Sequence, residues 1–165
     1  MLFGFLSSCF PSQPEPSCAF CDATKENGFN VQYEDVDYIV LNDRSPAALH
    51  HMLVIPRKHV VSIKALNASD AGMLRDMERI GTERLDVLDV PQGQRLMGFH
   101  IPPFNSVDHL HLHVFGLPWR SGLKHAKYPF RAGSNGDVKG WTWFVEIEQA
   151  INILESGRRV QVKPC

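Results

Sequence analysis

Histidine alternates with apolar residues along one short stretch of the chain, from residue 109 to residue 115. A period of two is typical of a β-strand, whose successive side chains point to opposite faces. The apolar residues would then face a core, and the histidines would share the other face, spaced about 7 Å apart. The apolar residues are Leu110, Leu112 and Val114, and the histidines are His109, His111 and His113. A chance cluster or a solvated face is the alternative, and the strict phase of the pattern argues against it.

A row of imidazoles suits two kinds of site. A neutral imidazole is a nucleophile, and a protonated one binds anions and donates protons. One ring could therefore attack phosphorus while its neighbour stabilises the phosphoryl oxygens. The same row could instead ligate a metal, because histidine is a common zinc ligand. Ser106 precedes the row and carries a short hydroxyl that could donate to a departing group.

Length and charge restrict the function classes. A chain of 165 residues predicts one domain with a real core. A net charge of -1 excludes a basic surface over the whole chain, so any contact with nucleic acid must be local. No apolar run is long enough to span a bilayer. Residues 1–17 lack the features of a signal peptide and predict a flexible tail, so we expect a cytoplasmic or nuclear protein without disulfides.

Cys18 and Cys21 form a Cys-x-x-Cys pair. In a reducing compartment such a pair indicates zinc binding, redox chemistry or coincidence. A redox motif of the thioredoxin kind follows a strand and precedes a helix, whereas a proline-rich segment precedes this pair. Zinc binding and two unpaired buried thiols remain as interpretations of the pair itself.

Hydrophobic periodicity predicts an α+β domain. The links between the strands are short, which favours a five-stranded, mainly antiparallel sheet with one long central helix and a C-terminal helix. The predicted domain spans residues 18–157, and residues 158–165 are predicted to be a loose tail. The predicted strands are 31–34, 38–41, 51–55, 95–101 and 109–115, and the predicted helices are 69–88, capped by Asn67 or Ser69, and 141–156, followed by Gly157.

The segment after the histidine row is basic and aromatic. It contains no acidic residue between His109 and Gly136. Cations and aromatic rings in one segment can hold phosphates and stack on bases. A solvated loop anchored by its aromatics is the alternative. The cations are Arg120, Lys124, Lys127 and Arg131, and the aromatics are Trp119, Tyr128 and Phe130.

The histidine row resembles the His-φ-His-φ-His-φ-φ signature of the histidine triad (HIT) superfamily. The blocks 42–46 and 51–59 resemble the upstream region of its Hint branch. Residues 97–103, Met-Gly-Phe-His-Ile-Pro-Pro, look most like the third Hint-type paralogue and are also similar to the aprataxin branch. The resemblance covers roughly residues 18–116, and it implies a HIT-like fold.

The resemblance implies a role for each matching position. His111 matches the nucleophile, His113 the ring that hydrogen-bonds the phosphate, and His51 the ring that supports both. Ser106 matches the hydroxyl that assists the leaving group, and Asp43 matches the acid that binds the ribose. The positions that flank the base match Phe20, Leu41 and Leu53, and the backbone expected near the phosphate includes Asn105 and Val107. Two positions depart from the Hint pattern, Arg44 beside the base and Gly98 near the phosphate.

The resemblance also implies a structural zinc site. In relatives with the Cys pair, and in the similar galactose-1-phosphate uridylyltransferases, the remaining ligands match His59 and His109. Together with Cys18 and Cys21 they make four N or S ligands, the number that closes a tetrahedral structural zinc site. The alternative is that His59 and His109 are hydrogen-bonded core residues.

The function implied is hydrolysis of nucleoside 5'-phosphoramidates or acyl-adenylates, of the AMP-NH2 or AMP-lysine type, through a nucleotidyl-histidine intermediate. Removal of AMP from adenylated nucleic-acid ends is the aprataxin-like alternative. A nucleotide-binding adaptor with incidental catalysis is a third hypothesis. Purine nucleotides are the expected ligands, no organic cofactor is expected, and the Hint likeness favours a homodimer.

Overall fold

One six-stranded antiparallel sheet organises residues 18–165, the part of the chain that this computed structural model describes. Residues 1–17, with the predicted tail, lie outside it. The strands are β1 (Val31–Glu34), β2 (Tyr38–Asn42), β3 (Ala48–Pro56), β4 (Arg95–His100), β5 (Leu112–Trp119) and β6 (Phe144–Glu146). The helices are α1 (Ala71–Val87), α2 (Gly122–His125) and α3 (Ile147–Glu155). The α+β prediction is confirmed, with six strands rather than five.

The sheet has the strand order β1-β2-β3-β5-β4-β6, so the histidine-bearing β5 lies between β3 and β4. In the antiparallel register of β3 and β5, His51 is opposite Phe115 and Leu53 is opposite His113. Because side chains alternate along a strand, these four residues lie on one face of the sheet. The two central strands therefore bring His51 and His113 together.

The other face of the sheet packs against α1 and α3. Leu110, Leu112 and Val114, the apolar half of the alternating pattern, all lie in this buried core. Gly81 lets α1 approach the sheet closely, because a Cβ at this position would lie 2.7 Å from Met97 Sδ. Asn67 caps the short 3₁₀ turn that leads into α1 by accepting a hydrogen bond from Ser69 N. The predicted central helix is confirmed.

The histidine stretch is a strand only in its second half. β5 begins at Leu112, so His109 and His111 precede it. Leu110 N donates to Val60 O at 2.7 Å, in the loop after β3. This bond replaces ladder pairing, while Leu110 still faces the core. The alternation of faces is thus kept across residues that lie outside the sheet ladder.

The predicted helix 141–156 is in fact a strand followed by a helix. Phe144–Glu146 pair with β4, and α3 begins only at Ile147. Aromatic and β-branched residues favour strands, which explains the pairing of Phe144 and Val145. The Glu146 side chain accepts from Glu148 N and Gln149 N, and this capping fixes the helix start. Gly157, with φ of 77°, follows the helix as predicted.

Residues 158–165 are packed rather than loose. Val160 and Cys165 are buried, and Val138 N donates to Cys165 O at 2.9 Å. The alternating apolar residues of this segment cover the edge of the helix-side core. Among the helices of residues 18–165, none combines the length and apolar character that crossing a bilayer requires.

Candidate active site

His111 has one nitrogen committed to the backbone. Its Nδ1 lies 2.6 Å from His109 O, and a carbonyl can only accept, so Nδ1 carries the proton. Burial lowers the pKa of His111, so the ring is neutral at pH 7. The lone pair is then on Nε2, for which no group among residues 18–165 provides a hydrogen bond. This tautomer is the one that a nucleophilic Nε2 requires.

A large cavity adjoins the rings that contact His111, although His111 itself is not among its lining residues. Its volume is about 1010 Å³, and Phe20, Ser106 and His113 are among its lining residues. His111 itself is only 7% exposed. Its ring lies edge-on to Phe20 at 5.3 Å and to His113 at 5.0 Å between centroids. The predicted nucleophile is therefore covered by two residues that line the cavity.

Three imidazoles beside His111 form a hydrogen-bonded chain. His51 Nε2 lies 2.9 Å from His113 Nδ1, and His113 Nε2 lies 3.1 Å from His100 Nδ1. Backbone groups close both ends of the chain: Ala47 N donates to His51 Nδ1, and His100 Nε2 lies 3.0 Å from Lys127 O. Four successive contacts thus run from a backbone amide to a backbone carbonyl.

The two backbone groups fix all three tautomers. Because Ala47 N–H donates, His51 Nδ1 must accept, and its Nε2–H then donates to His113. In the same way His113 Nε2–H donates to His100, whose Nε2–H donates to the Lys127 carbonyl. The direction set at one end agrees with the direction set at the other. Both nitrogens of His113 are thus engaged, so a phosphate would have to take the place of His100 to receive its proton.

Burial keeps these three imidazoles uncharged. It lowers the pKa of His51 to about 4, although the nearby Asp43 opposes that shift. Burial also lowers the pKa of His100, and it lowers the pKa of His113 well below its usual value. Neighbouring imidazoles add to the effect because each disfavours a second positive charge.

Asp43 lies next to the imidazole chain and also lines the cavity. Its Oδ2 lies 3.6 Å from His51 Nε2, and its Oδ1 accepts from Ser45 N at 2.6 Å. Lys124 in α2 donates to Ser45 Oγ at 2.7 Å, which ties α2 to the same loop. A carboxylate held at a cavity wall suits hydroxyl recognition, the role predicted for Asp43.

The predicted base-flanking residues gather at one end of the cavity. Phe20, Phe29, Leu41 and Leu53 form one hydrophobic cluster and all line the cavity. Arg44 also lines it, at the position where the sequence departs from the Hint pattern. An apolar end of this kind accepts a nucleobase.

The predicted phosphate loop lies near the histidines. Ser106 and Val107 line the cavity. The Asn105 side chain instead turns into its own loop, where Nδ2 donates to Val107 O at 3.1 Å and to Asp108 Oδ1 at 2.9 Å. Asn105 thereby holds the loop shape, while its neighbours face the cavity.

The four predicted metal ligands lie together. Their ligand atoms are all within 4.8 Å of one another, in the group Cys18, Cys21, His59 and His109. Nδ1 of His109 lies 3.3 Å from Cys18 Sγ, and Nδ1 of His59 lies 3.3 Å from Cys21 Sγ. Tetrahedral zinc with ordinary bond lengths separates S and N ligands by about 3.5 Å. The spacing fits such an ion.

The tautomer of His109 also fits a metal. Its Nε2 lies 2.8 Å from Pro56 O, so Nε2 carries the proton and the Nδ1 lone pair points to the thiols. A backbone carbonyl that orients a ligating imidazole in this way is typical of metal sites. His109 also links the cluster to the nucleophile, because its carbonyl accepts from His111 Nδ1. The donor set therefore suits zinc.

Sequence reasoning assigned no role to His100 or Trp143, and it named Lys127 and Tyr128 only as members of the basic aromatic segment. His100 ends β4, and its ring lies 4.9 Å from Tyr128 and 4.8 Å from His113. Lys127 O also accepts from Trp143 Nε1 at 3.1 Å. A polar residue at the end of a strand, just before Pro102, is the one signal that could have marked His100.

Gly98 has a packing explanation. A Cβ at this position would lie 2.3 Å from Val145 O and 2.6 Å from the Phe144 ring. The close pairing of β4 with β6 therefore requires glycine here. The glycine that departs from the Hint pattern at position 98 therefore lies where β4 pairs with β6.

Comparison with known proteins decides the family. A profile of the family described as "Scavenger mRNA decapping enzyme C-term binding" matches residues 17–128. The chain is 33% identical to "Adenosine 5'-monophosphoramidase HINT3" of Danio rerio, over 90% of this chain and 88% of that protein. The chain belongs to the histidine triad superfamily.

Other HIT proteins extend the comparison. "Bifunctional adenosine 5'-phosphosulfate phosphorylase/adenylylsulfatase HINT4" of Arabidopsis thaliana is 34% identical over 82% of this chain and 94% of that protein. "Aprataxin" of Danio rerio is 30% identical over 79% of this chain but only 38% of that protein. A "HIT family hydrolase" structure from Clostridium thermocellum superposes with a TM-score of 0.56 at 29% identity, over 61% of this chain and 90% of that chain. The resemblance inferred from the histidine row, with its Hint branch, is confirmed.

Proposed function

We propose that this HIT protein is a nucleotidyl hydrolase that cleaves nucleoside 5'-phosphoramidates, most favourably those of AMP, through a nucleotidyl-histidine intermediate. The observation that carries the proposal is the tautomer of His111, whose Nδ1–H is held by His109 O and whose Nε2 bears the lone pair. The HINT3 relative is named an adenosine 5'-monophosphoramidase, which supports the phosphoramidate, and the HINT4 relative is named for adenosine 5'-phosphosulfate, which supports an adenosine 5'-phosphoryl substrate.

The reaction divides one difficult displacement into two steps. In the first, the base occupies the apolar end of the cavity, Asp43 binds the ribose, and His111 Nε2 attacks the α-phosphorus. The P–N bond breaks as the Nε2–P bond forms, and the Ser106 hydroxyl supplies the proton that the departing amine needs. Water then returns one proton to Ser106, attacks the same phosphorus, breaks the Nε2–P bond and releases AMP and free His111.

Trapping the intermediate tests this mechanism. Acid quenching during turnover of AMP-NH2, followed by peptide mass spectrometry, should find AMP on the peptide that contains His111. Ser106→Ala should lower kcat/KM most for basic amines, because these need the proton most, and least for leaving groups that depart unprotonated. An equal loss for all leaving groups would remove the proton-donor role of Ser106.

A second candidate substrate is an adenylated nucleic-acid end. Lys124 and Lys127 line the cavity, and basic side chains bind phosphates. A turnover comparison of AMP-NH2 with a 5'-adenylated oligonucleotide discriminates between the candidates. We expect the phosphoramidate to be the better substrate, and a steep loss of oligonucleotide turnover with salt would favour the alternative.

Zinc is the metal proposed for the four-ligand cluster. Two thiolates and two imidazoles close a tetrahedral structural site, which leaves no open position for a catalytic water. The ion would hold the Cys18–Cys21 turn, and with it Phe20, against the loop that carries His111. Its contribution is to the fold around the nucleophile and not to the chemical step.

A homodimer remains the proposed assembly, with one structural constraint. Gly98, Phe99 and His100 of β4 already pair with β6 of the same chain. A partner strand would therefore have to join at β1, at β6 or at residues 95–97 of β4. Light scattering coupled to size-exclusion chromatography tests whether a dimer forms.

A further inference from the structure

Two separate apolar groups line the cavity. The first, with Phe20, Leu41 and Leu53, is taken by the base in the proposed function. The second is a pair of stacked rings outside that cluster, Phe104 and Trp143, whose centroids are 5.4 Å apart with planes inclined by 29°. Both rings line the cavity that Ser106 and His113 also line. A base held by the first group therefore leaves the ring pair free for another part of the substrate.

These two rings keep a large accessible surface. Phe104 is 50% exposed and Trp143 is 38% exposed. Apolar rings that face a cavity rather than a core are available to a ligand, and aromatic groups bind one another through offset or edge-to-face contacts. An exposed ring pair at the wall of a reaction cavity is thus a platform for a planar group.

The platform is connected to the catalytic histidines. Trp143 Nε1 donates to Lys127 O at 3.1 Å, and the same carbonyl accepts from His100 Nε2 at 3.0 Å. His100 in turn accepts from His113 Nε2. One carbonyl thus fixes the indole relative to the imidazole chain, which places the ring pair on the side of His113 and His100.

The charged residues that line the cavity favour some leaving groups over others. Among the described residues that line the cavity, Asp43 is the only acid, and its carboxylate is held by Ser45. Arg44, Lys124 and Lys127 line the cavity as well, so its charged lining residues are three cations and one carboxylate. A neutral or anionic group is therefore accepted more easily than a cationic one.

From these observations we propose that Phe104 and Trp143 form a leaving-group subsite that selects amines carrying a planar aromatic ring, uncharged or anionic, in the first step. This inference rests on the proposed phosphoramidase function and defines its substrate class. The amine departs from this subsite when the bond between phosphorus and nitrogen breaks, so its ring contributes to kcat/KM, which includes every step up to that departure.

The experiment uses matched substrates on the full-length protein. AMP 2-phenylethylamide and AMP 2-cyclohexylethylamide have the same connectivity and differ in the planarity of the ring. We expect a kcat/KM ratio of about 5 to 10 in favour of the phenyl compound, the range that aromatic contacts supply. In the Trp143→Leu variant, the kcat/KM ratio of the two substrates should fall close to the ratio of their non-enzymatic hydrolysis rates. In Phe104→Leu it should fall part of the way.

A matched control lies two residues away. Trp141 is 69% exposed and does not line the cavity, so Trp141→Leu should keep the wild-type ratio. Phe104→Leu keeps the experiment decisive if Trp143→Leu fails to fold, because Phe104 lies in an exposed loop.

The outcomes separate the subsite from the proposed function. A wild-type ratio near unity with good turnover of AMP-NH2 would overturn the subsite and leave the proposed function standing. A ratio that survives in both cavity variants, or that falls equally in Trp141→Leu, would also overturn it. If the wild-type protein hydrolyses none of these phosphoramidates, the proposed function itself fails, and the subsite fails with it.

Discussion

Two imidazole clusters lie on either side of His111, and they differ in where their lone pairs point. In the cluster of Cys18, Cys21, His59 and His109, the lone pairs converge on a common centre. In the chain of His51, His113 and His100, each Nδ1 lone pair accepts a hydrogen bond, from Ala47 N in His51 and from the preceding ring in the other two. The first arrangement offers a cation four ligand atoms around one centre, whereas the hydrogen bonds of the second are complete within the protein.

Backbone carbonyls fix the same tautomer in both clusters. Pro56 O takes the Nε2 proton of His109 and so turns the Nδ1 lone pair to the thiols. Lys127 O takes the Nε2 proton of His100 and so turns its Nδ1 lone pair inwards, where it accepts from His113. The same tautomer thus serves a candidate metal site where Nδ1 faces thiols and a neutral relay where Nδ1 faces an N–H donor. Asp43, His51 and His113 also lie within ligand distance of one another, but both nitrogens of each imidazole are already engaged in hydrogen bonds.

The largest effect is expected at the residue between the clusters. His111→Ala removes the only nucleophile that the mechanism uses, so turnover of AMP-NH2 should fall by about 10³-fold or more. The fold should survive, because neighbouring rings and the sheet remain. Circular dichroism and thermal unfolding provide the control, and near-normal turnover in a folded variant would refute the nucleophile.

Removal of the metal should have the next largest effect. Loss of zinc leaves two thiols and two imidazoles without their common partner, and we expect the free energy of unfolding to fall by at least about 3 kcal/mol. Elemental analysis should give one zinc per chain in the wild-type protein and in Cys165→Ala, and almost none in Cys18→Ser. Full zinc occupancy in Cys18→Ser would contradict the four-ligand site.

The same comparison explains what the sequence could predict. The histidine row and the Cys-x-x-Cys pair stand out by their own spacing, whereas the roles predicted for His111, Asp43, His59 and His109 follow from the family resemblance that such short blocks carry. Their partners are backbone carbonyls, and any residue can supply a carbonyl. Pro56 O and Lys127 O therefore left no trace in the pattern, although they decide the tautomers.

Longer-range contacts were missed for a related reason. His100, Tyr128 and Trp143 meet because β4, the loop after α2 and the residue before β6 converge in space. The periodicity of residues 141–156 favoured one helix, since Phe144 is in phase with Ile147 and Ile151. Pairing with β4, made possible by Gly98, outweighed that local preference.

Acid should destabilise the folded protein over a defined pH range, because it protonates the neutral imidazole chain of His51, His113 and His100. The folded-state pKa of His51 is lowered to about 4, whereas an unfolded histidine titrates near 6.5. Between these values the unfolded state binds more protons, so the free energy of unfolding falls as the pH decreases from about 6.5 to about 4. The contribution of His51 is roughly 3 kcal/mol over the range, and His113 changes stability in the same direction.

Urea denaturation at a series of pH values measures this slope. The metal-free variant Cys18→Ser should keep this slope. That result would separate protonation of the imidazole chain from the release of zinc by acid. His51→Asn should flatten the slope, whereas the control His125→Gln, which removes an exposed imidazole, should not. An unchanged slope in His51→Asn would show that the titrating groups lie elsewhere.

The smallest effect is expected at His100, the far end of the chain. His100→Phe removes the acceptor for His113 Nε2–H, so this proton loses its fixed direction and Lys127 O loses a donor. One neutral hydrogen bond contributes about 1 kcal/mol, and we expect kcat/KM for AMP-NH2 to fall about 5- to 10-fold. His100→Gln retains both an acceptor and a donor and should recover part of the loss. If His100→Gln is no better than His100→Phe, the loss does not come from these hydrogen bonds, and if neither is impaired, the tautomer of His113 is held by His51 alone.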